Sequence, residues 1–99
     1  MMYNGGMTTH NVYTVSDSET TKITPDGTHS GMDITIQNVS SSGNIYIGGQ
    51  GVSASDYGYQ IVPGAAISFE LAGSDDLYII TDNDGTQAAT IRMGLESQD

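Results

Sequence analysis

The chain contains no cysteine and no tryptophan, and only two of its 99 residues, Lys22 and Arg92, are cations. Without cysteine there are no disulfides and no thiolate metal ligands, so so small a fold must rely on packing, oxygen-bound metal or association with other chains. Two cations seventy positions apart make no basic patch, which disfavours nucleic acid and anionic membrane surfaces as partners. No apolar run approaches the roughly 18 residues of a membrane-spanning helix. The opening residues Met1 to Met7 lack the charged and apolar regions of a secretory leader, so a soluble, non-secreted protein is expected.

Acidic residues are what the chain does have: 12 Asp plus Glu give a formal net charge of -10. Self-repulsion of that size keeps a sheet-rich protein soluble, and it also suits a cationic partner surface. Hydrophobic residues make up 36% of the sequence, with a further 13 glycines. One domain with a thin core follows from that balance and from the length.

From Met32 to Leu95 short alternating apolar runs are separated by Gly, Asn, Asp and Ser, the pattern of an antiparallel β domain. Residues 1–11 read as a flexible arm, residues 12–95 as a single β-sandwich and residues 96–99 as a polar tail. Val12 to Ser16 and Thr20 to Thr24 suggest an opening hairpin, followed by a turn at Pro25-Asp26-Gly27. Met32, Ile34 and Ile36 alternate with Asp33, Thr35 and Gln37, so one face of that strand is core and the other wet. Asn38 to Asn44 then reads as a hairpin loop before Ile45-Tyr46-Ile47.

Further on, Tyr57 to Val62 alternates, Pro63-Gly64 is a tight turn, and Ile67-Ser68-Phe69-Glu70-Leu71 is the cleanest half-buried strand. Gly73 to Asp76 is read as a turn into Leu77 to Thr81, whose nearly continuous apolar run predicts cover on both faces. The last strand is expected to turn Ala89, Ile91, Met93 and Leu95 inward. About eight short strands without helical period predict an all-β antiparallel sandwich, jelly-roll or immunoglobulin-like.

No constellation for chemistry emerges, so no enzyme and no cofactor or metal site is expected. Asp82-Asn83-Asp84-Gly85 has alternate oxygen ligands followed by Gly, but Ile80 stands where a calcium loop needs an acid, and no bidentate Glu follows. It is read as a turn. Asp75 and Asp76 are adjacent and diverge on a strand entry; His10 and His29 lie in polar segments without ligand-spaced acids. Gly48-Gly49-Gln50-Gly51 lacks the Lys and following helix of a phosphate cradle. Tyr46 and Tyr78 should point opposite to their aliphatic neighbours, either into a second packed layer or outward, where a ring can anchor a sugar or a protein.

Asp33-Ile34-Thr35-Ile36-Gln37-Asn38-Val39, Asn44-Ile45-Tyr46-Ile47-Gly48-Gly49 and Val62-Pro63-Gly64 leading into Ile67 to Leu71 together resemble small all-β virion proteins of tailed bacteriophages, of the head decoration or cement type. The resemblance covers about two-thirds of the chain and carries no reactive motif. It implies a structural protein on the capsid exterior, made in the host cytoplasm, that bridges subunits of the major capsid protein as a homo-oligomer or as neighbouring copies. Related wording occurs in tail and fibre modules, so a tail or fibre domain binding a host glycan or another virion protein is the alternative. Tyr3 and Met7 in the arm, with Tyr46 and Tyr78, are the expected interaction residues.

Overall fold

A computed structural model of the chain describes residues 6–24, 32–71 and 76–95. Its strands are Gly6–Val15 (β1), Thr21–Lys22 (β2), Met32–Asn38 (β3), Ile45–Gly48 (β4), Tyr59–Ile61 (β5), Ala66–Leu71 (β6), Tyr78–Thr81 (β7) and Thr86–Leu95 (β8). All six pairings are antiparallel, and four of them are nested, β1 with β8, β2 with β7, β3 with β6 and β4 with β5, while β3 with β8 and β4 with β7 join these into sheets. The chain is thus one long doubled ribbon, folded back between β4 and β5 and rolled into two four-stranded sheets. The first sheet runs β1-β8-β3-β6 and the second β2-β7-β4-β5. The expected all-β sandwich is the architecture observed.

Between the sheets lie Val15, Ile23, Ile34, Ile36, Ile45, Ile47, Ile61, Ile79 and Ala88, all buried, with Tyr13, Ile67, Phe69 and Leu71 packed around them. Nearly every buried member is β-branched, a side chain with few rotamers to lose that fits a pleated surface. In β3 and β6 the alternation works as read, with Asp33, Gln37, Ser68 and Glu70 exposed on the far side. Strand β7 is covered on both faces. Ile79 joins the main core, while Ile80 joins Tyr46 and Val52 in a smaller cluster on the outer side of the second sheet. At Pro63-Gly64 the Ala65 N–H donates to the Val62 carbonyl at 3.0 Å, and Gly64 takes φ +83°, the turn that Pro followed by Gly favours.

Four expectations are corrected. Residues 6–11 are not a free arm: they form the first part of β1, paired from Gly6 opposite Leu95. Their Thr-rich run lacks apolar alternation, but a long partner strand supplies the backbone hydrogen bonds that it needs. The opening hairpin does not form either, because β1 and β2 lie in different sheets. Asn38 to Asn44 is likewise a crossing between sheets, not a hairpin loop, and the turn read at Asp82 to Gly85 carries the chain from β7 in the second sheet to β8 in the first. The Pro25-Asp26-Gly27 turn, the tail at 96–99 and most of the Gly73 to Asp76 turn lie outside the described residues.

The fourth correction concerns β8, whose inward set is Thr86, Ala88 and Thr90, all buried, while Ile91 and Met93 face solvent. Side chains alternate along a strand, so one fixed residue decides the face of every other. Thr86 is that residue: its hydroxyl donates to the Asn83 carbonyl at 2.6 Å and lies 3.0 Å from the Thr81 hydroxyl, inside the crossing. Even-numbered positions therefore point in. Arg92 follows the same parity and reaches the Ile23 carbonyl with Nη1 at 3.3 Å, spanning from one sheet to the other.

Two glycines at crossings test this geometry. Gly43 (φ +89°) and Gly85 (φ +93°) both occupy the left-handed region, but a Cβ on Gly43 would sit 2.5 Å from the Thr86 hydroxyl, whereas one on Gly85 meets open space. Gly85→Ala is expected to cost about 1–2 kcal/mol from backbone conformation alone. Gly43→Ala should lower the urea midpoint further than that, since it adds a steric overlap that cannot relax without moving Thr86.

Candidate interaction surface

Tyr46 stands opposite to Ile45 and Ile47, as their alternation requires, yet it is only 7% exposed. It packs with Ile80, Val52 and Tyr78, and the Tyr57 ring covers it at a centroid distance of 4.7 Å and an interplanar angle of 44°. Tyr78 is half-buried in the same cluster. Neither is a free outward platform, because the loop Gly49 to Gly58 folds over that side of the second sheet. Tyr3 lies outside the described residues, and Met7 contributes its backbone to β1 opposite Gly94.

The phenol of Tyr46 donates to Oδ2 of Asp82 at 3.0 Å. The same carboxylate accepts the Asn44 backbone N–H at 2.8 Å on Oδ1 and the Asn44 amide at 3.0 Å on Oδ2. The Asn44 backbone N–H, followed by its side-chain amide and the Tyr46 hydroxyl, holds the Asp82 carboxyl below its ordinary pKa. Burial, with the neighbouring carboxylate, pushes Tyr46 above its own. Asp84 accepts the Asp17 N–H at 3.2 Å. The Asp82 to Gly85 segment is a turn in which both carboxylates pin crossing strands. Asp76 is also occupied, accepting the Thr24 hydroxyl at 2.9 Å and facing Lys22 at 3.7 Å. Among the described residues, no three His, Cys, Asp or Glu groups are arranged to hold a metal ion.

Two surface features remain. The first is on the outer face of the first sheet, where Val12 (62% exposed), Ile91 (39%) and Met93 (47%) stand on adjacent strands. Register places Val12 beside Ala89, Ile91 between His10 and Thr35, and Met93 between Thr8 and Asp33. This is an apolar strip among hydroxyls, with the carboxylates of Asp33 and Glu70 toward the β6 side. The second feature is a cleft of about 380 Å³ lined by Gly48, Gly49, Gly51, Val52, Asp56 and Tyr57. Tyr57 and Tyr59 are the exposed tyrosines of this loop region.

Sequence reasoning missed the strip because it assigned the larger apolar set of β8 to the core. The signal that locates it is Thr86, directly after Asn83-Asp84-Gly85, where a hydroxyl capping a crossing turn sets the parity of the strand. In comparisons with known proteins, no family model and no curated protein matches this chain.

The Asp82 cluster gives a pH prediction. A carboxyl whose folded pKa lies below its unfolded one stabilises the fold above the unfolded value and loses that contribution as pH falls through the folded value. Asp82→Asn should therefore lower the melting temperature near neutral pH, and its deficit relative to wild type should shrink as pH drops below about 4. Thermal unfolding followed by circular dichroism from pH 7 to pH 2 checks this; a deficit constant across that range would show that the carboxylate charge is not what Asn44 and Tyr46 hold.

Proposed function

We propose that this chain is a non-enzymatic accessory protein of a bacteriophage virion, a decoration protein that binds the outside of the capsid across contacts between major capsid protein subunits. The observation that carries the reading is the strip of Val12, Ile91 and Met93 on the outer face of the first sheet. Contiguous apolar groups left in water on a small acidic protein are the mark of a contact surface. They stand on strands held by neighbours on both sides or by ten paired residues, so the surface is rigid before it binds and loses little entropy on docking.

The resemblance of Asp33 to Val39, Asn44 to Gly49 and Val62 to Leu71 to virion proteins points the same way. A net charge of -10 suits the exterior of a particle whose interior is packed with nucleic acid, and it complements basic ground on a shell. A thin sandwich gains stability from such a contact, because binding to the folded state alone raises the free energy of unfolding by mass action. The bridging of subunits strengthens the shell through the same linkage.

A second reading, a tail or fibre domain that binds a host glycan, is favoured by the glycine-lined cleft, where the exposed Tyr57 ring and the Asp56 carboxylate offer a stacking face and a hydrogen-bond acceptor. Glycan-array binding lost in Tyr57→Ala would support it.

For the leading reading, purified protein should co-sediment with expanded phage heads and raise their resistance to heat. Val12→Asp and Met93→Asp should each weaken binding by about tenfold or more, equivalent to roughly 1.4 kcal/mol, while leaving the melting temperature of the free protein nearly unchanged. Heads that bind none of the wild-type protein, or that bind both variants equally well, would overturn it.

A further inference from the structure

The two sheets have four edges, and three of them are guarded. Strand β2 is two residues long and β5 three, too short to template another strand, and β6 carries Glu70 on its exposed side. Short edges and edge charges are the usual protection against unwanted pairing. Strand β1 has neither. It is ten residues long, roughly 34 Å of extended backbone, with β8 as its single sheet neighbour among the described residues. In an antiparallel pair alternate residues turn their N–H and C=O groups away from the partner, so half of the backbone groups of β1 face outward.

The side chains of this edge make it more open still. Gly6-Met7-Thr8-Thr9-His10-Asn11-Val12-Tyr13-Thr14-Val15 contains no Asp, Glu, Lys, Arg or Pro. In a chain with 12 acids that is a stretch along which two copies would meet without carboxylates in opposition. A basic partner would gain nothing from a neutral strand, whereas a second copy of the chain needs one. Its Thr, Val and Tyr residues also favour extended backbone.

We propose that two copies of this chain pair through β1, antiparallel, about a twofold axis perpendicular to the first sheet. The two sheets become one of eight strands, ordered β6-β3-β8-β1 and then β1-β8-β3-β6 of the second copy. This axis keeps the outer faces on the same side. Val12, Ile91 and Met93 of each copy then lie toward the middle of a doubled apolar strip, with both Glu70 residues at the far margins. The symmetry also fixes the register to pairings in which one residue of β1 faces its own mate, since only these set outward side chains beside outward side chains.

The native chain has no cysteine, so single introduced thiols report the seam directly. Thr8→Cys, His10→Cys and Val12→Cys place a thiol on the outer face of β1; Ala66→Cys places one on the guarded β6 edge. Opposed residues in an antiparallel pair fall within disulfide reach. Under mild oxidation of the full chain, one of the three β1 positions, or an equimolar mixture of Thr8→Cys with His10→Cys or of His10→Cys with Val12→Cys where the twofold falls at the inward residue between them, should form covalent dimer at least about tenfold faster than Ala66→Cys, because pairing raises the effective thiol concentration. Adding Val12→Lys to His10→Cys guards the edge and should remove that advantage without lowering the melting temperature. Equal rates at β1 and β6 would overturn the proposal, as would equal rates at all three β1 positions, which would indicate parallel pairing. The assay uses free protein without capsids, so its outcome is independent of whether the chain binds a phage head.

Discussion

Rolling a doubled ribbon into two sheets forces the chain to cross between layers, and four of those crossings meet at one end of the sandwich. The connections β1–β2, β3–β4, β5–β6 and β7–β8 all pass there. Crossing backbone cannot join a strand ladder, so its polar groups need other partners or a desolvation cost follows. Asn38 is the main solution. Fully buried, it donates from Nδ2 to the carbonyls of Gly43 at 2.9 Å and Ile61 at 3.0 Å, and its Oδ1 accepts the Ser40 N–H at 3.1 Å. Its backbone adds bonds to Ala65 and Gly64. One side chain thus ties β3, the β3–β4 crossing and the end of β5.

Threonines and carboxylates complete that end. The Thr81 hydroxyl donates to the Asn44 carbonyl at 2.7 Å and accepts the Asn83 N–H at 3.1 Å, joining the β3–β4 and β7–β8 crossings. Gly85 and Thr81 donate backbone N–H groups to Val15 and Ser16, which fastens the end of β1 to the same cluster. The consequence runs the length of the molecule. With Thr86 held inward, β8 shows its smaller side chains to the core and Ile91 and Met93 to water, and the exposed apolar strip arises from the way the crossing is capped.

Much of the fold was legible in the sequence because strands announce themselves locally. Met32 to Asn38, Ile45 to Gly48, Ala66 to Leu71 and Tyr78 to Thr81 all follow from alternation or from unbroken apolar runs between turn residues. What did not follow is anything that depends on which layer a strand joins. Asp82-Asn83-Asp84-Gly85 has the same composition whether it closes a hairpin or crosses a sandwich, and only the partner of β8 distinguishes them. The outward Ile91 and Met93 were illegible for the related reason that greasy side chains alone do not state which face is core. Tyr46 was half legible: its direction follows from Ile45 and Ile47, but its cover comes from Tyr57, eleven residues on and placed by a loop.

The described surface is acidic in sum, neutral along β1, and carries an apolar strip of Val12, Ile91 and Met93 on the outer face of the first sheet, and the proposed attachment to a larger surface rests on that strip. The proposed capsid role makes a demand that a tail or fibre role does not, because a shell presents the same contact many times. Counting copies of this protein against the major capsid protein in purified virions is the most direct measurement. A decoration protein should be present in hundreds of copies per particle, in a fixed small-integer ratio to shell subunits. A handful of copies per particle, or none, would contradict it.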